Sequence, residues 1–247
     1  MEVINRPDYT EKVKKLFGKG FIIALTGQRR VGKSFIMRQV IKELSQDSAA
    51  HVIYIDKDNE EFSFVQSHEE LTKYVKSNLL SNKRNYLFVD EIQNIKEFEV
   101  SLRSFHTNDE CEMVITGSNA KMLSSELSTY LSGRCVEYHI QSLDYREFLT
   151  FHRLSDNNQS LHSYLKYGGL PQLHRIGLEE TELVDDYLKS VYHTIVLKDV
   201  IEREEIRNVP LLKNLIRFVG DNVGKVFSAS SIVKYLKSQQ VDSSTRV

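Results

Sequence analysis

Residues Gly27 to Ser34 have the types and spacing of a phosphate-binding loop. The segment reads GQRRVGKS and matches the pattern G-x-x-x-x-G-K-[ST]. Its glycines let backbone N–H groups converge on phosphate oxygens, and the helix that begins at the loop adds the positive end of its dipole. Lys33 can reach the β- and γ-phosphates of a nucleotide, and the Ser34 hydroxyl can ligate Mg²⁺. The alternative is a glycine-rich turn that binds no ligand. The predicted nucleotide contacts are Gly27, Gln28, Arg29, Arg30, Val31, Gly32, Lys33, Ser34 and Phe35.

Two acids, Asp90 and Glu91, follow the apolar segment Tyr86–Val89. Such a run favours a buried strand, and open α/β sheets bind ligands at the carboxyl ends of their strands. Asp90 is predicted to hold Mg²⁺, directly or through water, and Glu91 to act as general base on an attacking water. Alternatively, both acids cap the next helix, whose first turn favours negative charge.

The next apolar segment ends in a polar tip, Thr116-Gly117-Ser118-Asn119, which would open toward the same cleft. Ser118 and Asn119 either orient water against the γ-phosphate or form a turn with an N-cap before a helix over 120–131. Arg134 either stabilises a transferring phosphoryl group, in cis or from a neighbouring subunit, or neutralises the end of that helix. The predicted catalytic residues are Glu91, Lys33, Ser118, Asn119 and Arg134.

The elements that position these residues alternate between strand and helix. Apolar residues recur at helical spacing after the phosphate loop, as in Met37, Val40, Ile41 and Leu44. This alternation predicts an α/β fold with a five-stranded parallel sheet and helices on both faces. The predicted strands are Phe21–Thr26, His51–Ile55, Tyr86–Val89, Met113–Thr116 and Cys135–Ile140.

After about residue 141 the strand signals stop, so the α/β core is predicted to span 1–141 and the rest to be helical. A turn with the sequence Gly168-Gly169-Leu170-Pro171 interrupts the helical patterns. The predicted helices are Leu143–Phe151, Leu161–Tyr167, Glu179–Val196 and Leu211–Val219.

Five motifs together resemble the predicted AAA-type ATPases of bacteria and archaea, over essentially the whole chain. They are GQRRVGKS, YLFVDEIQ, VITGSNA, LSGR at 131–134 and YGGLPQ at 167–172. The resemblance implies an ATP-binding P-loop NTPase of the AAA+ superfamily with additional-strand (ASCE) topology. In it GQRRVGKS is the Walker A motif, and Asp90 and Glu91 take the Walker B roles. It also implies a helical lid over 142–207 and a winged-helix region over 208–247.

The segment Gly169-Leu170-Pro171 is similar to the Gly-x-Pro lid signature of the related signal-transducing (STAND) ATPases. In those proteins the proline approaches the adenine, so the similarity implies that Pro171 contacts the nucleotide. These relatives often lack an arginine finger, which leaves the role of Arg134 open.

The C-terminal region looks like a partial winged helix. Residues 227–236 resemble the first helix of a helix-turn-helix, and 243–247 the start of the second; family members are usually longer. The segment 207–247 has a net charge of 7 − 2 = +5, which either attracts DNA phosphates or forms a solvated helical surface. Its basic residues are Arg207, Lys213, Arg217, Lys225, Lys234, Lys237 and Arg246, and its acids are Asp221 and Asp242.

Composition excludes several other classes. Of the 247 residues, 40% are hydrophobic and 27% charged, with a net charge of 33 − 34 = −1, so the chain can bury a core and is no polycationic binder. Two cysteines are too few for a disulfide framework or a cysteine zinc site. No apolar run approaches the roughly 20 residues of a membrane span, and the N-terminus has no signal-peptide pattern. A cytoplasmic protein without a membrane partner is expected.

Three functions fit these residues. The first is a Mg²⁺-dependent ATPase whose hydrolysis switches the lid relative to the core. The second is a nucleotide-regulated DNA-binding module with negligible turnover. The third, a small-molecule kinase, is disfavoured because a base such as Glu91 would activate water beside the phosphoryl group. The client and the oligomeric state are left open.

Overall fold

The computed structural model describes residues 5–117, 131, 133–195 and 208–238. The chain divides into two compact units, Met1–Val184 and Asp185–Val247. The first unit contains the sheet and the phosphate loop. Within the described residues, no helix has the length and apolar character that a bilayer crossing requires.

The first unit is built on a five-stranded parallel sheet with the order β2-β3-β4-β1-β5. The predicted sheet is therefore confirmed. One strand, β4, separates β1 from β3, as the additional-strand topology requires. Each strand lies within two residues of its predicted bounds: β1 Ile22–Thr26, β2 Ala50–Asp56, β3 Arg84–Asp90, β4 Glu112–Thr116 and β5 Cys135–His139.

Helices cover both faces of this sheet, which explains why the central strands are apolar without alternation. Neighbouring residues of β1 point to opposite apolar clusters: Ile22 packs with the cluster of α3 and α4, and Ile23 with that of α1 and α2. The helices are α1 Pro7–Lys14, α2 Lys33–Leu44, α3 His68–Asn78 and α4 Phe98–Thr107.

The first two helices after residue 141 begin where side chains cap them. The predicted helix Leu143–Phe151 is α5, Tyr145–His152, because Asp144 accepts a hydrogen bond from the Glu147 amide at 2.8 Å. The predicted helix Leu161–Tyr167 starts earlier, because the Asn157 side chain accepts from the Ser160 amide at 2.9 Å. The next helices are α6 Asn158–Tyr167, α7 Leu173–Ile176 and α8 Thr181–Thr194. The predicted helix over 120–131 lies outside the described residues, apart from Leu131.

In the second unit, α9 (Val209–Asp221) and α10 (Ala229–Ser238) pack against each other. The Phe218 ring lies 5.0 Å from the Tyr235 ring and 5.4 Å from the Phe227 ring, centroid to centroid. Residues 243–247, predicted to begin the second helix of a helix-turn-helix, lie outside the described part. The winged helix and the domain bounds at 142–207 and 208–247 therefore stay predictions.

Candidate nucleotide-binding site

The phosphate loop joins β1 to the N-terminus of α2 through left-handed backbone turns. Gly27 has a φ of 129°, Arg30 of 67° and Gly32 of 99°. A Cβ atom on Gly27 would lie 2.2 Å from the carbonyl oxygen of Ile140, so only glycine fits there. Such a loop at a helix N-terminus points its N–H groups toward an anion.

Lys33 is buried inside this loop, with 5% of its surface exposed. Its ammonium donates to the carbonyl oxygens of Gly27 and Gln28, both at 2.9 Å. The loop backbone thus holds the charge of Lys33 beside the N–H groups that would cradle a phosphate. The neighbouring arginines Arg29 and Arg30 lie on the same loop, half-buried and exposed respectively.

Ser34 and Asp90 meet at the sheet edge, where the Ser34 hydroxyl hydrogen-bonds the carboxylate. Asp90 is 2% exposed, and burial raises its pKa; the nearby acids Asp56 and Glu91 act in the same direction. A hydroxyl and a carboxylate are hard oxygen ligands that suit Mg²⁺. In the described part of the chain, no group of three or more His, Cys, Asp or Glu side chains is arranged to hold a metal. Mg²⁺ here would therefore need phosphate oxygens or water as its remaining ligands.

Glu91 follows Asp90 in a left-handed conformation, with a φ of 54°. For a residue with a Cβ this conformation costs about 1–2 kcal/mol. The Glu91 carboxylate accepts a hydrogen bond from Nε2 of the Gln93 side chain. It makes no capping bond to the single-turn 3₁₀ helix Ile92–Asn94 that follows. Glu91 thus stands at the N-cap position of this helix without a capping hydrogen bond from its side chain, and its role as general base stays a prediction.

Thr116, the last residue of β4, connects both acids, a link that the sequence analysis, which placed Thr116 at a polar strand tip, did not predict. Its fully buried hydroxyl donates to the Asp90 carboxylate and accepts from the Glu91 amide N–H at 3.0 Å. The available signal was a hydroxyl residue ending an apolar strand beside the acid pair. The predicted residues Ser118 and Asn119 follow it and lie outside the described part of the chain.

The tip of β2 supplies a second support for Asp90 that sequence reasoning also missed. The Tyr54 hydroxyl hydrogen-bonds Asp90 at 3.4 Å and Asp56 at 3.3 Å, and Arg38 donates to Asp56 at 3.0 Å. Burial raises the pKa of Tyr54 to about 12, so the phenol stays a hydrogen-bond donor at neutral pH. The parallel register, which places Asp56 opposite Asp90, creates this network.

The turn around Pro171 lies against the phosphate loop. A Cβ on Gly32 would be 3.8 Å from the Pro171 Cγ, and the Arg175 guanidinium lies 5.3 Å from the centre of the Phe35 ring. Gly169 fixes the turn, because its carbonyl accepts from the Leu143 amide at 2.7 Å. The structure thus brings both Pro171 and Phe35 to the loop.

Arg134 does not join this group. Its carbonyl accepts from the amide of Ile22, the first residue of β1, whereas the phosphate loop follows Thr26 at the other end of that strand. Five residues of strand span about 16 Å, farther than an arginine side chain reaches. A role in cis is therefore contradicted, and a role from a neighbouring subunit stays a prediction.

The strand order, the loop after β1 and the acid pair at the end of β3 define a P-loop NTPase of the AAA type. The chain belongs to the family described as "AAA domain", whose model matches residues 19–149, more than half of its length. A second model, "Domain of unknown function (DUF8612)", matches residues 158–246. The resemblance to AAA-type proteins is thus confirmed, whereas the similarity to signal-transducing ATPases stays a prediction.

Two curated relatives extend beyond this chain. An uncharacterized protein of Haemophilus influenzae is 32% identical in an alignment 251 residues long, which covers 98% of this chain and 62% of the relative. The uncharacterized protein MJ1544 of Methanocaldococcus jannaschii is 28% identical over 229 residues, covering 87% of this chain and 50% of the relative. The chain thus spans between half and two thirds of each relative.

Two solved structures are similar in fold along most of the chain. AMPPCP-bound DnaA from Aquifex aeolicus has a TM-score of 0.51 at 15% identity, covering 97% of this chain and 89% of that chain. The Hsp104–ADP complex of S. cerevisiae has a TM-score of 0.52 at 16% identity, covering 97% and 38%. At these identities the similarity shows the fold alone.

Proposed function

We propose that the chain binds ATP with Mg²⁺, hydrolyses it and acts as a nucleotide-driven conformational switch. The observation that carries this proposal is that the carboxyl end of the sheet brings the phosphate loop to the acid pair, with Ser34 hydrogen-bonded to Asp90. The residues that meet there are Lys33, Ser34, Asp90 and Glu91. The structural neighbours, solved with AMPPCP and ADP, make an adenine nucleotide the ligand to test first.

Each of these residues has a separate chemical role in the proposal. The loop amides and Lys33 would bind the β- and γ-phosphates. Ser34 and Asp90 would hold Mg²⁺, which when bound polarises phosphoryl oxygens and neutralises developing charge. Glu91 would accept a proton from the attacking water. Ser118 and Asn119 stay predicted to orient that water.

The switch part of the proposal depends on the turn at Pro171. Pro171 and Arg175 both lie beside the loop helix α2, so phosphates bound there would alter the surroundings of both. The proposed lid, 142–207, would respond through this turn. The left-handed Gly168 (φ 73°) begins the turn, and this backbone freedom suits a hinge.

Three substitutions test the proposal on the purified chain. Lys33→Ala should weaken ATP affinity roughly 10- to 150-fold, because it deletes a charge-assisted contact worth about 1.5–3 kcal/mol. Glu91→Gln should retain ATP and Mg²⁺ binding but lower phosphate release roughly 100-fold or more. Asp90→Asn should instead weaken the Mg²⁺ dependence of binding. Calorimetric titration and steady-state phosphate release measure these effects.

Lys42→Ala provides a matched control, because Lys42 is an exposed lysine on the same helix as Lys33. It should bind ATP like the wild type. Unchanged ATP affinity in Lys33→Ala would show that the loop is not the nucleotide site. Undiminished turnover in Glu91→Gln would remove the general-base role.

A nucleotide-regulated DNA-binding module is the second candidate. The observation in its favour is that five basic residues of 208–238 are exposed, against one acid in that range, Asp221. Phosphate release measured with and without duplex DNA separates the two candidates. Nucleotide binding without turnover in either condition, together with DNA affinity that changes on nucleotide addition, would favour this second function.

A further inference from the structure

Arg6 is a buried cation that bonds to three separate segments of the first unit. Only 4% of its surface is exposed. Its Nε and Nη2 donate to the two carboxylate oxygens of Glu147 at 2.7 and 2.8 Å. Its Nη1 donates to the carbonyl oxygens of Val31 at 3.2 Å and Gln141 at 2.9 Å. A planar guanidinium suits such simultaneous bidentate and backbone recognition, and a lysine does not.

The contact with Val31 reaches into the phosphate loop. The carbonyl of Val31 and the N–H of Gly32 belong to one peptide group, and that N–H is among those that would cradle a phosphate. A phosphate that accepts this N–H polarises the peptide group and makes the Val31 carbonyl a stronger acceptor for Arg6. Nucleotide binding and the Arg6 contact are thus linked through a single peptide unit.

The contact with Glu147 reaches the start of α5. The Oε2 atom of Glu147 also accepts from the Asp144 amide at 3.0 Å, in the capping box that begins this helix. The adjoining Leu143 amide donates to Gly169, in the turn that places Pro171 at the loop. A shift of Arg6 would therefore change both the cap of α5 and the position of this turn.

We propose that the Arg6–Glu147 ion pair couples nucleotide binding at the phosphate loop to the helical segment that begins at α5. This inference rests on the proposed function, since it requires that the loop bind a nucleotide. Arg6 acts here as a positioning residue, because it contacts the loop backbone and not the reacting atoms. Linkage is reciprocal, so loosening the pair also weakens nucleotide binding.

The test compares the full wild-type chain with Arg6→Lys, Glu147→Gln and the double variant. The probe is AMPPCP with Mg²⁺, and the readouts are calorimetric affinity and hydrogen exchange over 27–34 and 143–152. In the wild type, the probe should slow exchange in both segments. In each single variant, affinity should fall about 5- to 50-fold, and protection should persist over 27–34 but disappear over 143–152.

The double variant should bind AMPPCP with about the same affinity as the single variant of lower affinity. The reason is that both substitutions break the same interaction. Glu112→Gln is the matched control. Glu112 pairs with Arg84 at 2.7 Å, and these two residues begin β4 and β3. The pair thus lies at the N-terminal ends of the strands, whereas the phosphate loop lies at their carboxyl ends. This variant should keep wild-type affinity and joint protection.

The outcomes separate the coupling from the function on which it rests. Wild-type affinity and joint protection in both single variants would overturn the coupling and leave nucleotide binding intact. Failure of the wild-type chain to bind AMPPCP or ATP would overturn the proposed function and the coupling with it. If Arg6→Lys does not fold, Glu147→Gln alone decides, because the Glu147 side chain is 26% exposed and tolerates a neutral isostere more easily.

Discussion

At the residue scale, Thr116 holds the two acids of the site in a fixed relation. One hydroxyl donates to the Asp90 carboxylate and accepts from the Glu91 amide, and Glu91 also adopts a left-handed backbone. A strained conformation persists only where its surroundings stabilise it. The hydrogen bond from the Glu91 amide is therefore a reason for Glu91 to keep the orientation from which it would act on water.

Thr116→Val should lower phosphate release about 10- to 100-fold and reduce the gain in ATP affinity that Mg²⁺ provides. Valine has the shape of threonine but leaves the Glu91 amide and the Asp90 carboxylate without their shared partner, a loss of about 1–3 kcal/mol. Thr116→Ser retains the hydroxyl and should restore most of both properties. Equal turnover in the two variants would show that Thr116 has only a packing role.

Sequence reasoning found the residues that lie close together along the chain and missed those that meet only in space. The phosphate loop and the acid pair are each contiguous, so their chemistry could be predicted from residue types. Thr116 and Tyr54 reach Asp90 through strand order and register, which local patterns do not specify. Arg6 lies 141 positions before its partner Glu147, and a single arginine near the N-terminus carries no sequence signal.

At the element scale, the turn at 168–171 determines where Pro171 lies. A Cβ on Gly169 would be 2.1 Å from the Leu143 carbonyl oxygen, closer than any side chain tolerates. Gly169→Ala should therefore displace the turn, destabilise the first unit by about 1–3 kcal/mol and weaken ATP binding. Thermal unfolding and calorimetric titration check both effects.

Gly220→Ala is the control for this substitution, since a Cβ at Gly220, near the end of α9, meets nothing within 4 Å. Its unfolding temperature should stay the same or rise slightly, as alanine favours helix. A Gly169→Ala variant as stable as this control would show that the turn adjusts without cost and does not position Pro171.

The last turn of α5 contains a histidine, His152, whose surroundings predict that stability depends on pH. The His152 ring lies 4.3 Å from the Phe148 ring, and its buried Nε2 has no hydrogen-bond partner in the described structure. Burial, and then the charge of His174, lowers the pKa of His152 to about 4, while Glu179 opposes this shift. In the unfolded chain the pKa is about 6.5, so the unfolded state binds more protons between these values.

The free energy of unfolding should therefore fall as pH drops from about 6.5 toward about 4. Allowing for solvent screening, His152 should account for about 1–2 kcal/mol of this loss. His152→Phe should remove that part, so its unfolding temperature would fall less between pH 7 and pH 5 than that of the wild type. His162→Phe, which alters an exposed histidine on α6, should change nothing. Identical pH dependence in His152→Phe and the wild type would contradict the assignment.

The elements themselves were more predictable than their ends. Continuous apolar runs identified the central strands β1, β3 and β4, because a strand covered on both faces has few polar positions. The edge strands β2 and β5 include polar residues and were found from shorter apolar segments. Helix starts depended on single capping residues, Asp144 and Asn157, which moved α5 and α6 from their predicted bounds. The short helices α1 and α7 were missed, since 8 and 4 residues give too little periodicity to detect.

At the scale of the whole molecule, the sign of the charge changes along the chain. The net charge is −1, yet the described residues 208–238 include Lys213, Arg217, Lys225, Lys234 and Lys237, all exposed, against Asp221. Lys213 and Arg217 lie one turn apart on α9, and Lys234 and Lys237 do so on α10. Such spacing places positive charge together on a helix surface, and the DNA-binding candidate function would use this charge to contact phosphates.

These charges should give weak DNA binding that does not depend on sequence, because lysine and arginine contacts to phosphates position a protein without reading bases. If all five contact phosphates, the logarithm of affinity should fall by about 4–5 for each tenfold rise in salt. Fluorescence anisotropy with two unrelated duplexes, from 50 to 200 mM salt, measures this slope.

Lys213→Glu combined with Arg217→Glu should lower the affinity for DNA and flatten its dependence on salt. Lys73→Glu combined with Lys76→Glu, on α3 of the first unit, should do neither. A steep preference for one duplex at 150 mM salt would instead require base contacts that these five residues do not supply, and would contradict a purely electrostatic role for the second unit.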